Sequence, residues 1–208
     1  MTRAAPTILY DPDGTLADTA PDLTGALNWV LDGIGVRPIE AGEVRSMIGM
    51  GARALIERGL KSAGQAYDDA LLDELLERFL VYYGENIARE TRPFPGAREA
   101  LDALKGAGAR MAVCTNKREH TSVQLLRALD LIDYFELVAG GDTFAVRKPD
   151  AGHLLQTLEH LGAGAPRAVM VGDSETDVKA ARAAGLPVVG VTFGYTDRHI
   201  SEFAPDTV

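Results

Sequence analysis

Short apolar runs alternate with longer amphipathic segments along most of the chain. The first run, Thr7–Tyr10, ends at an acidic cluster. Four similar runs follow at residues 110–114, 135–139, 168–171 and 187–191. Because these runs are short, apolar and rich in β-branched residues, they predict buried β-strands.

The segments between these runs carry apolar residues at helical spacing. Helices are expected at residues 96–106, 119–129, 151–161 and 175–184. Gly108, Gly162 and Gly185 stand just after three of them, where helices commonly end at a glycine. Strands that alternate with helices of this length form right-handed βαβ units, so the pattern predicts an α/β fold with a parallel sheet.

Residues 19–92 interrupt this alternation, because they contain helical patterns and no predicted strand. Helices are expected at residues 19–35, 40–47, 52–60 and 67–86. Thr19 is the expected N-cap of the first of these helices, with Pro21 and Asp22 in its first turn. The sequence therefore predicts a core domain of residues 1–18 and 93–208, with an all-helical domain of residues 19–92 inserted after the first strand.

The composition is that of an ordinary globular protein, with 46% apolar and 25% charged residues. The net charge of −9 argues against a nucleic-acid partner, since phosphate backbones are bound by basic surfaces. No apolar run approaches the roughly 18 residues that predict a membrane span, and the N-terminus does not resemble a signal peptide. The expected location is the cytoplasm, and no feature indicates an oligomeric state. The single cysteine, Cys114, excludes an intramolecular disulfide and is expected in the core.

Two carboxylates follow the first predicted strand. Asp11 and Asp13 are two residues apart, and Gly14 after them permits a tight turn. Carboxylates this close repel each other, and a divalent cation such as Mg²⁺ would offset the repulsion. Taken alone, the pattern is also typical of an Asx-turn or a helix cap.

Polar residues also stand near the ends of later predicted strands. Thr115 and Asn116 could donate to a phosphate oxygen, and Lys148, held in extended backbone by the proline after it, could neutralise an anion. Asp173 and Asp177 could reach one metal ion from a strand end and the next helical turn. Each feature alone is common in turns, surface loops or helix N-termini. Because ligand sites of parallel sheets gather at the carboxyl ends of the strands, we expect these residues at one site.

Together these residues resemble the signature of the haloacid dehalogenase-like hydrolase superfamily. The pattern Asp-x-Asp-Gly-Thr begins at Asp11, a strand-end threonine follows at Thr115, Lys148 precedes a proline, and Gly-Asp-Ser-x-x-Asp spans residues 172–177. The resemblance covers essentially the whole chain. It implies a Rossmann-like parallel sheet with helices on both faces, and a helical cap domain over the site.

The resemblance also implies a magnesium-dependent phosphatase that acts through an aspartyl-phosphate. Asp11 would be the nucleophile, and Asp13 would protonate the leaving oxygen and then activate water. Mg²⁺ would be held by Asp11, Asp173 and the main-chain carbonyl of Asp13, with Asp177 nearby. The side chains expected to bind the phosphoryl oxygens are Thr115, Asn116 and Lys148.

Further stretches resemble phosphoglycolate phosphatases in particular, at residues 18–23, 48–52, 93–96 and 191–195. The implied substrate is a small phosphorylated metabolite, with 2-phosphoglycolate first. Arg53, which follows two glycines, is a candidate for binding its carboxylate. Asp13 disfavours carbon–halogen hydrolysis, because dehalogenases lack a carboxylate at this position.

Pro12, between the two carboxylates, departs from the family pattern. Family members usually have a non-proline residue there, whose N–H donates to the transferring phosphoryl group, whereas proline has no N–H. Losing a donor of this kind can cost on the order of 10²–10³ in rate, so we expect a slow enzyme.

Other functions stay open from the sequence. A sugar-phosphate phosphatase or a phosphomutase of the same superfamily would share these motifs. Pro12 also suits a weakly active phosphate-binding sensor, although the intact Asp11, Asp13, Lys148 and Asp173 oppose that interpretation. A two-component receiver domain is disfavoured, because it is shorter and has no helical insertion.

Overall fold

A five-stranded parallel sheet forms the centre of the computed structural model, which describes residues 5–196 and 198–208. In chain order the strands are β1 (Thr7–Tyr10), β2 (Ala17–Asp18), β3 (Arg92–Pro93), β4 (Arg110–Cys114), β5 (Leu137–Ala139), β6 (Ala168–Gly172) and β7 (Val188–Gly190). The main sheet has the order β5-β4-β1-β6-β7, and β1 pairs in parallel with both β4 and β6. The predicted parallel α/β sheet is confirmed; residues 1–4 and 197 of the predicted core range lie outside the described residues.

Helices cover both faces of the sheet, as predicted. They are α1 (Ala20–Asp32), α2 (Ala41–Arg45), α3 (Ala52–Ser62), α4 (Asp69–Glu85), α5 (Ala97–Gly106), α6 (Glu119–Ala128), α7 (Ala151–His160) and α8 (Glu175–Ala183). Because neighbouring strand residues point to opposite faces, Ile8 and Met111 join one apolar cluster with α5 and α6, while Leu9 and Met170 join another with α7 and α8. None of the helices in the described ranges is long and apolar enough to cross a membrane.

Helices α1–α4, here called the helical block, are inserted between β2 and β3. These two strands pair as a short antiparallel ribbon, Ala17 with Pro93 and Asp18 with Arg92. The expectation that residues 19–92 contain no strand is therefore wrong only at Arg92. Apolar residues of the block continue the cluster that contains α5 and α6, so the block packs against the core.

The expected start of α1 is correct in position but not in bonding. Thr19 is the N-cap residue, yet its side chain makes no capping bond. Its hydroxyl donates instead to Asp13 Oδ1 at 2.8 Å. Asp22, in the first turn, accepts from the main-chain N–H and the hydroxyl of Thr91. Thr19 thus bonds to the acidic loop of the core, and Asp22 bonds to a residue 69 positions away, next to β3. These contacts tie the helical block to the core at its two connections.

Candidate active site

Loops after three adjacent strands bring the predicted chemistry together. Asp11 follows the central strand β1, Thr115 follows its neighbour β4, and Asp173 follows its other neighbour β6. The Asp11 N–H donates to the carbonyl of Val171 on β6, which fixes the carboxylate at the sheet edge. Parallel pairing therefore places residues that are more than 100 positions apart in one site.

Three buried carboxylates form the centre of the site. Asp11, Asp173 and Asp177 each offer an oxygen, and these oxygens lie within 4.8 Å of one another. At most 4% of any of the three residues is exposed. Lys148 Nζ lies 2.6 Å from Asp177 Oδ1 and 3.4 Å from Asp11 Oδ2. One buried ammonium therefore contacts two of the three buried carboxylates.

Burial first, and then the excess of negative charge, shift the pKa values of these groups. Burial raises the pKa of Asp11 well above its ordinary value, and Lys148 only partly opposes that shift. Burial, together with the charge of Asp177, raises the pKa of Asp173 to about 7. Burial alone would lower the pKa of Lys148, but Asp11 and Asp177 raise it overall, so the ammonium stays charged. The carboxylates are thus poised to take up a proton or a cation.

The loops around Asp173 hold its side chain in one orientation. Its Oδ1 accepts from the hydroxyl of Thr15 at 3.2 Å, and its Oδ2 accepts from the main-chain N–H of Tyr195 at 2.7 Å. Gly14 and Gly194 pack directly against the carboxylate, and a Cβ at either position would overlap it. Gly14 also has a positive φ of 78°, which a turn after Asp13 requires.

Asp177 is held by its own helix as well as by Lys148. Its Oδ2 accepts from the N–H and the hydroxyl of Ser174. Ser174 and Asp177 thus form a capping box at the start of α8. Asp11 Oδ1, in contrast, has no hydrogen-bond partner among the described residues. A buried carboxylate oxygen without a partner is costly, so this atom is the natural one to take a ligand or to react.

Asp13 lies outside the three-carboxylate cluster and has different partners. Its Oδ1 accepts from Thr19, and the Nζ of Lys117 lies 3.1 Å away from the same oxygen. Lys117 also donates to the hydroxyl of Tyr83 on α4 at 2.9 Å. The cation of Lys117 therefore bridges the acidic loop of the core and the helical block.

Lys117 and Tyr83 were not among the residues expected from the sequence. Both are buried, with exposures of 8% and 1%. Burial raises the pKa of Tyr83 to about 12, so the phenol keeps its proton. Burial alone would lower the pKa of Lys117, but the contact with Asp13 raises it overall. The sequence does contain a signal for Lys117, because this residue directly follows Thr115 and Asn116. Tyr83 lies in an ordinary amphipathic helix, and nothing in the sequence around it indicates a role in the site.

A cavity of about 280 Å³ opens between the core loops and the helical block. Asp11, Asp13 and Thr115 line its floor from the core, while apolar residues such as Leu76 and Phe79 of α4 line it from the block. A second cavity of about 140 Å³ touches both Asp13 and Asp173. The volume of the larger cavity is at the lower end of the range for ligand sites, so it suits a small molecule.

The remaining expected residues have distinct environments. Thr115 is 1% exposed and lines the cavity. Both amide hydrogens of Asn116 are used by the carbonyls of Gly49 and Lys148, so its side chain links the block to the core. Arg53 borders the cavity, but its guanidinium pairs with two exposed aspartates of α4, Asp69 and Asp73.

Cys114 is fully buried, as expected from the sequence. Burial raises the pKa of its thiol to about 12, so it remains a protonated core residue at neutral pH.

Tyr195 connects the carboxylate site to the two-stranded ribbon. Its hydroxyl donates to Asp18 Oδ1 at 2.7 Å and accepts from the N–H of Ala20 at 3.0 Å. Arg45 of α2 pairs with the same Asp18 at 2.7 Å and lies over the Tyr195 ring. The loop that bonds to Asp173 is thus also tied to the entrance of the helical block.

Comparison with known proteins agrees with this geometry. Residues 8–191 match the family model described as haloacid dehalogenase-like hydrolase. The chain is 47% identical to the phosphoglycolate phosphatase of Mesorhizobium japonicum over 203 residues, covering 98% of this chain and 89% of that protein. The enzyme of the same name from Agrobacterium fabrum is 46% identical, with coverage of 98% and 88%. The crystal structure of a predicted phosphoglycolate phosphatase from Haemophilus somnus 129PT superposes with a TM-score of 0.91 at 30% identity, covering 100% of this chain and 94% of that one.

Proposed function

The chain belongs to the haloacid dehalogenase-like hydrolase family, and we propose that it hydrolyses 2-phosphoglycolate, with Asp11 as the nucleophile and Mg²⁺ as the metal. It is a phosphoric monoester hydrolase, similar over nearly its full length to phosphoglycolate phosphatases. The main support for the residue assignments is the cluster of Asp11, Asp173 and Asp177, which adjoins a small cavity. Among the described residues, the cation in contact with this cluster is Lys148.

The site has the chemistry of a divalent-cation site. Asp11 Oδ1 is buried and has no partner among the described residues, and the pKa values of Asp11 and Asp173 are raised by burial and mutual repulsion. An all-oxygen donor set with few carboxylates suits Mg²⁺. The residues that would hold it are Asp11, Asp173 and the main-chain carbonyl of Asp13, with Asp177 nearby. When bound, the metal would neutralise the carboxylates and polarise the phosphoryl oxygens.

In the first step, a carboxylate oxygen of Asp11 attacks phosphorus, and the bond from phosphorus to the leaving oxygen breaks. Asp13 gives its proton to that leaving oxygen, which departs as an alcohol. Thr115 donates a hydrogen bond from its hydroxyl to the transferring phosphoryl group. Lys148, which already contacts Asp11, stabilises the negative charge that spreads over the phosphoryl oxygens. Because Lys148 is fixed by Asp177, this stabilisation needs no rearrangement.

In the second step, Asp13 removes a proton from water, and the water oxygen attacks phosphorus. The bond between phosphorus and the Asp11 oxygen then breaks, which releases inorganic phosphate and restores the carboxylate. Thr19 and Lys117 hold the Asp13 side chain through Oδ1, so its other oxygen, Oδ2, can give up and take up the proton in the two steps. The separation of Asp13 from the three-carboxylate cluster supports this division between acid–base chemistry and nucleophilic attack.

The helical block is proposed as a cap that selects the substrate. Residues 19–92 would form this domain and residues 1–18 and 93–208 the core, with the cytoplasm as the working compartment. The larger cavity lies between the two parts, so closing the block excludes water and completes the site. The small volume, and the names of the similar enzymes, support a metabolite of the size of 2-phosphoglycolate.

A panel of phosphorylated metabolites tests the proposed function. We expect phosphate release with Mg²⁺ to be fastest for 2-phosphoglycolate, slower for sugar phosphates, nucleotides and pyrophosphate, and lost with a chelator. The Asp11→Asn variant keeps the shape of the side chain but is a poor nucleophile, so it serves as the matched control. Undiminished hydrolysis by this variant, or a sugar phosphate as the best substrate, would contradict the proposal.

A further inference from the structure

We propose that Lys117 and Tyr83 bind a carboxylate on the leaving group, so that the enzyme selects phosphate esters of small hydroxy acids. The inference rests on the proposed function and deepens it, because it names the residues that recognise the organic part of the substrate. It also moves this role away from Arg53, to which the sequence pattern pointed.

Lys117 is the best placed of the cations that line the larger cavity. Within residues 5–196 and 198–208, the basic residues that line it are Arg53, Lys117, Arg118 and Arg147. Arg118 and Arg147 are exposed, and the guanidinium of Arg53 already pairs with Asp69 and Asp73. Lys117 is 8% exposed and therefore interacts with an anion in a low-dielectric space, where a charge contact is stronger than at the surface.

Lys117 and Tyr83 each have a hydrogen-bond donor without an acceptor among the described residues. An ammonium has three N–H donors. Among the described residues, the acceptors that reach Nζ are the Tyr83 hydroxyl at 2.9 Å and Asp13 Oδ1 at 3.1 Å. The hydroxyl of Tyr83 accepts from Lys117, and its own hydrogen has no acceptor in residues 5–196 and 198–208. Two donors are thus left to bind the two oxygens of one carboxylate.

The position of Lys117 relative to Asp13 sets the distance from the ester to the carboxylate. In the proposed mechanism Asp13 contacts the leaving oxygen, and Lys117 Nζ lies 3.1 Å from Asp13 Oδ1. In 2-phosphoglycolate, three bonds join the ester oxygen to each carboxylate oxygen, which places them about 3 Å apart. A carboxylate attached to the ester carbon therefore arrives next to the ammonium that contacts Asp13.

A neutral leaving group would leave these buried donors without a partner. The loss of one hydrogen bond to a charged group corresponds to about a 10- to 100-fold loss of binding. Because Lys117 comes from the core and Tyr83 from α4, a carboxylate held by both would also favour the closed position of the helical block.

The test compares two esters of the same length. One is 2-phosphoglycolate, and the other is 2-hydroxyethyl phosphate, which has a hydroxymethyl group in place of the carboxylate. We expect Lys117→Met to reduce the ratio of their kcat/KM values by about 10- to 100-fold, Lys117→Arg to reduce it less, and Tyr83→Phe to reduce it by about 3- to 10-fold. Arg53→Met is the matched control, and its effect on the ratio should stay within about twofold, since exposed ion pairs contribute little. An equal loss for both esters in Lys117→Met, or a fall in the ratio confined to Arg53→Met, would overturn the inference.

A binding measurement separates this inference from the proposed function. Titration calorimetry of 2-phosphoglycolate is carried out with Mg²⁺ on Asp11→Asn, with and without Lys117→Met. About tenfold weaker binding in the double variant supports the carboxylate site even if turnover of 2-phosphoglycolate proves negligible. Equal affinities of Asp11→Asn and the double variant for 2-phosphoglycolate overturn the inference even if hydrolysis by the wild type is rapid. Tyr83→Phe on the same Asp11→Asn background gives a second measurement if Lys117→Met does not fold, and unchanged binding there also counts against the inference.

Discussion

Lys148 donates a hydrogen bond of 2.6 Å to Asp177, and neither side chain is exposed to solvent. This pair holds the cation that faces Asp11. Removing the cation leaves three buried carboxylates without the one ammonium that contacts them in the part of the chain that the structure describes. The pair therefore matters for the stability of the fold as well as for catalysis.

Lys148→Met should lower the free energy of unfolding by about 3–5 kcal/mol, since it leaves a buried charge uncompensated. Urea denaturation checks this value. Lys179→Met is the matched control, because Lys179 pairs with Glu175 at the surface with 60% of its side chain exposed, and its effect should stay below about 1 kcal/mol. Equal stabilities of the two variants would show that the buried pair is not structurally important.

Pro12→Leu should raise kcat by about tenfold or more, because it supplies a main-chain N–H beside Asp11 for the transferring phosphoryl group. The carbonyl of Pro12 accepts from the N–H groups of Leu16 and Ala17, and any residue preserves these bonds. Pro12→Ala offers the same N–H with a smaller side chain and should act in the same direction. Steady-state kinetics with 2-phosphoglycolate give the answer, and unchanged or lower turnover in both variants would refute the explanation.

The positions of the reactive residues can largely be predicted from the sequence. Asp11 and Asp173 each follow a short apolar strand, and the rule that parallel strands present their carboxyl ends together is enough to predict a common site. Local signals also gave the helix ends, since Gly108, Gly162 and Gly185 adopt positive φ values after α5, α7 and α8.

Contacts between distant segments cannot be predicted from the sequence in the same way. Tyr195 bonds to Asp18 across 177 positions, and Tyr83 reaches Lys117 from a helix whose pattern indicates only packing. Such pairs depend on how the helical block docks on the core, and no local pattern encodes that geometry.

Added Mg²⁺ should stabilise the protein more at about pH 8 than at about pH 5.5, because metal binding must displace protons at the lower pH. The pKa of Asp173 in the folded, metal-free protein is about 7, above the value of an unfolded chain. A raised pKa stabilises the fold at low pH, and this contribution is lost as the pH rises through about 7. Asp11 is shifted in the same direction.

Thermal melting with Mg²⁺ or with a chelator measures this effect. Asp173→Asn should reduce both the response to Mg²⁺ and the loss of stability of the metal-free protein with rising pH. Equal shifts of the melting temperature at the two pH values would contradict the assignment of the metal to these carboxylates.

Tyr195→Phe should lower the free energy of unfolding by about 1–3 kcal/mol, because the Ala20 N–H and the Asp18 carboxylate lose a buried hydrogen-bond partner. Its effect on the Mg²⁺ dependence of activity should be small, since Asp173 is bonded by the main chain of Tyr195. Tyr134→Phe removes a similar bond to Asp102 at the surface and should change stability by less than about 1 kcal/mol. Denaturant titration of both variants decides whether the Tyr195 hydroxyl holds the ribbon.

The most direct measurement of the central claim is chemical trapping of the phosphorylated enzyme. Borohydride reduces an acyl phosphate to an alcohol, so an aspartyl-phosphate formed during turnover becomes homoserine and can be located by peptide mass spectrometry. We predict homoserine at position 11 only when 2-phosphoglycolate and Mg²⁺ are both present, and none in Asp11→Asn. Homoserine at another aspartate, or rapid turnover with no modified residue in samples quenched at steady state, would contradict the mechanism.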